Sequence, residues 1–505
     1  MADSEIAGAG ATAVAAFIRT PAVPFDELIA RIWRQGALTE DSLSAAWEAV
    51  ARFAGADDER KGALAVALGL LAEASGPAAA LVRRAVHAGL DTYLADWARR
   101  PLDGPLLLAL QYLLAHFPAD RAAVVAAAPE LDPDDRSRLD RALATLDPAD
   151  PDIGRAFPHP AAWELDDGEV AFDRGWIAAL TPEQVRHHWE QDTETVLGHL
   201  GAKAYWAVRE NRAPVPPMVD SIPPRNPRPH DADIALFERH AAAFRCPGCA
   251  GALEFETGGA RCADCGNRYA IGSGILDVTA TVGDSQDRAG DFLFKLAEIP
   301  SMGYFYEAHA RPNFLRLCGS NWAGQVTPSD EDAYITAHVA PVEGPVLDLA
   351  AGAGRWTAVL AKAVGADRVI ALDLGLPMLA TTRERLPEVP AVLASAALVP
   401  FADASLGAVL CWNALQAFPD DAPAAIAEVG RCLRPGGTFT FLTFRTSDDP
   451  VYRYFVSRHH FPQHAAGLHL FDRADIMCWL AEAGLTVLDE TAPGTFVIVT
   501  AQRPV

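Results

Sequence analysis

The chain has 505 residues, too many for one hydrophobic core and enough for about three domains of the ordinary ~100–200 residues. Half of the residues are apolar (50%), but no uninterrupted apolar run approaches the ~20 residues of a spanning helix, so no membrane role is expected. The formal net charge is −24, and residues 287–505 hold 16 Lys+Arg against 24 Asp+Glu. That is the opposite of the basic footprint that binding a phosphate backbone requires, and it argues against a nucleic-acid partner.

Residues 1–150 are Ala/Leu-rich and helical by period, broken by short loops at Ala54–Asp58, Gly76–Pro77, Arg100–Pro105 and Pro129–Pro133. Leu106–His116 reads as one member of a stacked set of helices, so this region is expected to be all-α, a small bundle or helical-repeat-like domain. No fixed-period repeat is evident. Leu146–Asp152 marks a boundary, and 151–240 reads as an irregular, aromatic-rich segment followed by a linker. Trp163, Trp176, Trp189 and Trp206 are expected to pack in a core rather than form a substrate cage, and Arg212–Pro229 is a proline-dense, semi-extended connector.

Residues 241–280 contain Cys246-Pro247-Gly248-Cys249 and Cys262-Ala263-Asp264-Cys265. Two Cys-x-x-Cys knuckles at this spacing supply four thiolates that close a tetrahedron around Zn2+. With four sulfurs the metal has no open position for water or substrate, so its expected role is to fold a segment too short to build its own core. The alternative is a pair of disulfides. The acidic N-terminus has no basic n-region of a signal peptide, and Cys318, Cys411, Cys432 and Cys478 are scattered singly; both features suit a reducing, cytoplasmic setting.

Residues 281–505 alternate strands and helices, which predicts a parallel sheet with right-handed crossovers. The expected order is strand 345–350, helix 355–364, strand 368–373, helix 377–386, strand 391–394, strand 407–412, helix 421–433, strand 437–444, an excursion 446–471, helix 472–483 and a closing hairpin. The stretch Val346-Leu347-Asp348-Leu349-Ala350-Ala351-Gly352-Ala353-Gly354 is an apolar strand running into a turn of small residues, where a ligand can touch the backbone. Asp373, at the end of the next apolar run, is placed to hold a ribose diol. Thr357 stands where the third glycine of a dinucleotide fingerprint would be, which disfavours a pyrophosphate. Asp348 has the wrong charge for phosphates and suits a cationic, amino-acid-bearing nucleoside. S-adenosylmethionine fits both constraints.

Four ordered blocks carry a resemblance: the glycine turn; Asp373-Leu374-Gly375-Leu376-Pro377-Met378-Leu379; Leu398-Val399-Pro400-Phe401-Ala402-Asp403; and Leu433-Arg434-Pro435-Gly436-Gly437. Together they resemble the class I S-adenosylmethionine-dependent methyltransferases, with Ala350 in place of the first glycine of motif I. The resemblance implies an α/β, Rossmann-like domain built on a seven-stranded, mostly parallel sheet. It also implies that Gly352, Gly354 and the neighbouring backbone hold the methionine part of the cofactor. Leu374 and Met378 would then flank ribose and adenine, Ser395 and Ala396 would lie at the adenine edge, and Trp412 and Asn413 would lie on the sulfonium side. Two residues depart from the family pattern: Ser395 stands where an Asp usually accepts the adenine amino group, and Gly407 replaces a frequent Asp. The zinc segment, with Cys262 to Tyr269 and Gly272 to Asp277, is similar to the small ribbon of the methyltransferase-activator family, whose fused members carry a Tyr-Glu pair in the connector. Tyr306-Glu307 stands there. The resemblance covers about residues 240–505.

Methyl transfer asks for an in-line approach, exclusion of water and sometimes a base. Histidines His459, His460, His464 and His469 cluster in the excursion, and His464 and His469 are the expected base candidates. Tyr304 and Tyr306 lie on a connector placed to fold over the cofactor, with Tyr306 as a third catalytic candidate. The expected activity is methylation of a small organic molecule, with the helical N-terminal region shaping the pocket or forming a homo-oligomer. The competing readings are an RNA methyltransferase, which the acidic balance opposes, and a non-catalytic use of the fold, whose only support is Ser395 and Gly407.

Overall fold

The structure is a computed structural model, and it describes residues 8–20, 23–154, 165–218, 234–279, 299–460, 468 and 470–505. Helices dominate up to Glu210. The all-α expectation for this part needs one correction: Trp33–Arg34 and Ala37–Leu38 form a two-residue hairpin. The positive φ values of Gln35 (49°) and Gly36 (81°) close it, as a tight hairpin turn requires.

The irregular reading of 151–240 is also corrected. Asp167–Ala179 is a helix, and Pro182–Glu210 is a helix of 29 residues. Both begin with capping boxes, Asp166 with Glu169 and Thr181 with Gln184, and the long helix ends on Asn211 in the left-handed region. Its aromatic content hid it, because Trp189, Tyr205 and Trp206 lower helix propensity without preventing a helix whose faces are covered. Trp176 (7% exposed) and Trp206 (9%) are buried as core residues; Trp163 lies outside the described residues.

The sheet has eleven strands. From one edge they run Thr486–Thr491, Phe496–Gln502, Leu433–Phe444, Leu406–Trp412, Val346–Leu349, Val369–Asp373 and Ala391–Leu393. Six of these seven strands run the same way, and Phe496–Gln502 is antiparallel to both of its neighbours. This is the Rossmann-like methyltransferase fold. Helices 355–364 and 422–432 fall where the period placed them, while the excursion contains a helix, Pro450–Ser457, that period alone did not reveal.

The zinc-ribbon segment does not stand apart from this sheet. Ile275–Asp277 pairs in parallel with Ala391–Leu393, and Arg268–Gly272, Gly259–Cys262 and Leu253–Glu256 continue outward as an antiparallel meander. A strand edge that would otherwise be open is thereby covered. Alternation along the strands sorts the core into two faces. Val346, Val369, Ala371, Ala408, Leu410 and Trp412 pack in the same cluster as the N-terminal helices. Leu347, Leu349, Ile370, Leu372, Val409 and Cys411 share a cluster with Phe244, Leu253, Tyr269 and Leu276 of the ribbon. The long helix meets the excursion closely on the first face: a Cβ on Gly201 would lie 2.2 Å from the Phe455 ring.

Candidate functional site

The glycine turn follows a fully buried strand and demands backbone that few side chains tolerate. Ala350 (φ 59°), Gly352 (57°) and Gly354 (87°) all sit in the left-handed region. Ala350 therefore holds, with a Cβ, the conformation for which motif I of the resembled family uses glycine. The two glycines differ in what surrounds them. A Cβ built on Gly352 meets nothing within 4 Å, whereas one on Gly354 would lie 2.9 Å from Thr382 Oγ1 and 3.1 Å from Thr382 Cα. Gly352 opens onto space for a ligand; Gly354 lets helix Arg355–Val364 start against helix Leu376–Arg385.

Carboxylates surround this turn. Asp373 accepts from the Gly352 amide at 2.8 Å and the Gly375 amide at 2.7 Å, so one side chain ties the two turns together. Burial raises its pKa, and the backbone donors oppose that shift. Asp348 is 1% exposed and accepts from Thr357 Oγ1 at 2.6 Å. Desolvation pushes its pKa up to about 7, against the Thr357 hydrogen bond and with the help of the Asp373 charge. A buried carboxyl held near neutrality becomes a carboxylate when a cation arrives.

Glu307 supplies the third carboxylate, a role the sequence reading left unassigned although the Tyr306-Glu307 pair pointed to it. It accepts from the Arg355 amide at 3.2 Å and grips Arg385 through both oxygens, at 2.9 and 2.7 Å. The N-terminus of helix Arg355–Val364 is thus already capped by an anion. A dinucleotide pyrophosphate would be repelled from the position it normally takes.

Tyr306 opens a π-helical turn, Tyr306–Ala310, a distortion that often accompanies functional sites. Its hydroxyl accepts from Asn413 Nδ2 at 3.2 Å, and Asn413 itself has φ 59° at the end of strand Leu406–Trp412. Burial pushes the Tyr306 phenol up to about 12. Tyr304 is turned elsewhere, donating to Glu384 at 2.6 Å. Trp412 is 4% exposed, and its indole N–H donates to Glu331 at 2.6 Å; Glu331 in turn pairs with Arg311. Leu374 is 54% exposed, an apolar side chain left uncovered beside the turn. Met378 and Ala396 are partly buried. Ser395 Oγ accepts from the Ala397 amide at 3.2 Å.

Gly407 has a physical reason. It lies at the start of strand Leu406–Trp412, the end away from the turn, and a Cβ there would come within 2.5 Å of Val342 O. An aspartate is excluded by the crossing chain, so this departure has no bearing on the ligand end of the strand. Of the histidines, His464 and His469 lie outside the described residues. His459 is 1% exposed beside Phe314, with ring centroids 6.1 Å apart, and His460 Nε2 is 2.6 Å from Glu194 of the long helix.

The four knuckle cysteines converge. Their sulfurs all lie within 4.8 Å of one another, with Cys246 to Cys265 at 3.7 Å and Cys249 to Cys262 at 3.4 Å. A tetrahedral Zn–S distance of ~2.3 Å requires sulfur edges of ~3.8 Å, while a disulfide requires ~2.05 Å, so this donor set fits the metal. Each knuckle closes alike: Ala250 N donates to Cys246 O and Gly266 N to Cys262 O. The residue after each second cysteine, Ala250 or Gly266, has positive φ. The Tyr269 hydroxyl reaches Cys246 Sγ at 3.1 Å, the kind of outer contact that steadies a thiolate ligand.

Residues 346–437 match the family model described as a methyltransferase domain. An uncharacterised chloroplastic methyltransferase of Arabidopsis thaliana is 27% identical over 260 residues, 49% of this chain and 70% of that protein. A demethylmenaquinone methyltransferase of Corynebacterium kroppenstedtii is 40% identical over 107 residues, 21% of this chain and 44% of that protein. Among solved structures, geranyl diphosphate C-methyltransferase from Streptomyces coelicolor, in complex with Mg2+, geranyl-S-thiolodiphosphate and S-adenosyl-L-homocysteine, superposes with TM-score 0.31 at 13% identity, covering 35% of this chain and 76% of that one. The chain carries a methyltransferase domain and is an enzyme of that kind. Among the described residues no helix is long and apolar enough to cross a membrane.

Proposed function

We propose that this methyltransferase uses S-adenosylmethionine to methylate a small organic acceptor. The observation that carries the reading is the acid-lined turn, in which Asp348, Asp373 and Glu307 surround backbone that opens at Gly352. Three carboxylates favour a cationic ligand over a phosphorylated one.

The cofactor supplies an electrophilic methyl group on a sulfonium; the chain binds it and aims it. Asp373 exchanges part of its backbone hydrogen bonding for a ribose diol, Leu374 and Met378 cover the base, and the Gly352 turn receives the amino-acid end near Asp348. Asn413 and Tyr306 stand at the exit of strand Leu406–Trp412, where the methyl group leaves. Because the Tyr306 phenol stays protonated at neutral pH, it orients an acceptor by donating a hydrogen bond and does not act as a base. Base catalysis, where the acceptor needs it, falls to His464 or His469. Cys246, Cys249, Cys262 and Cys265 hold a structural zinc. A cytoplasmic site of action completes the reading, supported by Cys318, Cys411 and Cys432, which are buried singly as thiols.

Titration of the full chain with S-adenosylhomocysteine tests this reading: saturable binding is expected, and none at millimolar ligand would remove it. Tyr306→Phe should leave that affinity within about 0.5 kcal/mol while lowering turnover, the mark of a group that acts on the transition state.

A further inference from the structure

Strand Leu433–Phe444 ends beside the cofactor exit, since the Asn413 amide donates to Leu442 O at 2.9 Å. Ligands of open α/β sheets gather beyond these carboxyl ends. Just past the strand lies a cavity of about 80 Å³, lined by Cys318, Val456 and Leu468 on apolar walls and by Arg445 and Arg453. On the scale where ~150 Å³ accepts a benzene ring, that is room for a group of about three non-hydrogen atoms, the size of a carboxylate.

The donors available to such a group are few and mostly cationic. The Thr446 hydroxyl donates to Leu470 O at 2.7 Å, Thr495 donates to Cys318 O, and Ser457 donates to Tyr454 O at 2.7 Å. These three hydroxyl protons are committed to the backbone, which leaves the two guanidinium groups and the Ser447 hydroxyl, which accepts from the Asp449 amide at 3.2 Å. Arg445 is held by Thr446 O, Gly494 O and Asp448, the last 95% exposed and so in water. Among the described residues Arg453 makes one hydrogen bond, Nη1 to Ser447 O at 3.3 Å, and pairs with no carboxylate. In a chain of net charge −24, two arginines beside an apolar cavity select for an acceptor-only, negatively charged group on a short carbon stem. A phosphate would leave oxygens against the apolar wall without donors.

The wall is fixed in advance. Asp449 caps helix Pro450–Ser457 through the Val451 and Tyr452 amides, accepts from Tyr205 at 2.8 Å and pairs with Arg209. Tyr454 donates to Glu73 at 3.0 Å. Glu73, Tyr205 and Arg209 belong to the N-terminal helices, which thus hold the cavity's helix in place.

From the cavity, its two arginines and its committed hydroxyls, we propose that this site takes the carboxylate end of the methyl acceptor, making the acceptor a small organic acid. The proposal rests on the methyltransferase reading above. Propionate, propionamide and inorganic phosphate should be titrated into the full chain by calorimetry, with S-adenosylhomocysteine titrated separately into the same preparation. Propionate should saturate in the millimolar range, with propionamide and phosphate each at least about tenfold weaker. Arg453→Gln, at an exposed position, should bring propionate down to the propionamide level and leave S-adenosylhomocysteine binding unchanged. Leu470→Phe, which fills the cavity, should do the same. Equal binding of propionate and propionamide, or wild-type propionate affinity in Arg453→Gln, overturns the proposal. Phosphate binding as tightly as propionate overturns the organic-acid assignment. Propionate binding without S-adenosylhomocysteine binding would instead sink the methyltransferase reading and leave a carboxylate site.

Discussion

The cysteine ribbon and the glycine turn both announce themselves as motifs, but they are built in opposite ways. The four sulfurs come from two knuckles within residues 246–265, and each knuckle closes through its own backbone. The surroundings of the glycine turn draw Glu307, Asp348, Asp373, Thr382 with Arg385, and Asn413 from five separate stretches that only the folded sheet brings together. A site made of local residues stands or falls as a unit, whereas one assembled at long range loses its contacts one at a time.

The largest effect should therefore come from the ribbon. Cys246→Ser should abolish binding of one zinc per chain, measured by elemental analysis. Because Ile275–Asp277 pairs with Ala391–Leu393, it should also lower the melting temperature by about 10 °C, on the basis of ~3–5 kcal/mol lost at ~2–4 °C per kcal/mol. A metal-free protein with an unchanged melt would show that the two regions are not coupled.

Asp373→Ala should weaken S-adenosylhomocysteine by ~1.5–3 kcal/mol through loss of charged hydrogen bonds to the ribose, with little change in zinc content. Equal affinity in the mutant would place the ribose contact elsewhere. The pH dependence comes next. Asp348 has a folded pKa of about 7, above the ordinary aspartate range. Its contribution to stability is therefore fully present below that ordinary range, ~4, and is lost as pH rises through about 7. A cationic ligand pairs only with the ionised form, so affinity for S-adenosylmethionine should rise as pH goes from 6 to 8. Asp348→Asn should flatten that profile in calorimetry. The smallest effect is at Ala350: Ala350→Gly should relieve the left-handed strain at φ 59° and stabilise the protein by about 0.5 kcal/mol in a denaturant melt. Destabilisation would mean that the Cβ packs usefully enough to outweigh the strain.

Sequence determined what depends on period and on short spacing. Apart from helix Pro450–Ser457, the strands and helices from Val346 to Gln502 were legible because apolar runs and glycine turns are local, and the cysteine set was legible because the knuckles carry their own geometry. Leu374 and Met378 were named from a block that lies next to Asp373 along the chain. Tertiary structure alone decided the rest. That Ile275–Asp277 would extend the large sheet depends on an open edge at Ala391–Leu393, which no motif records. Glu307 became a helix cap and a partner of Arg385 only when the connector folded over the turn. Gly407 proved to be a glycine because a neighbouring chain crosses 2.5 Å from where its Cβ would be. The long helix Pro182–Glu210 was obscured by aromatic residues whose cost is offset only by the surfaces that bury them. Periodicity is a property of neighbours in the chain, while pairing, capping and close approach are properties of neighbours in space.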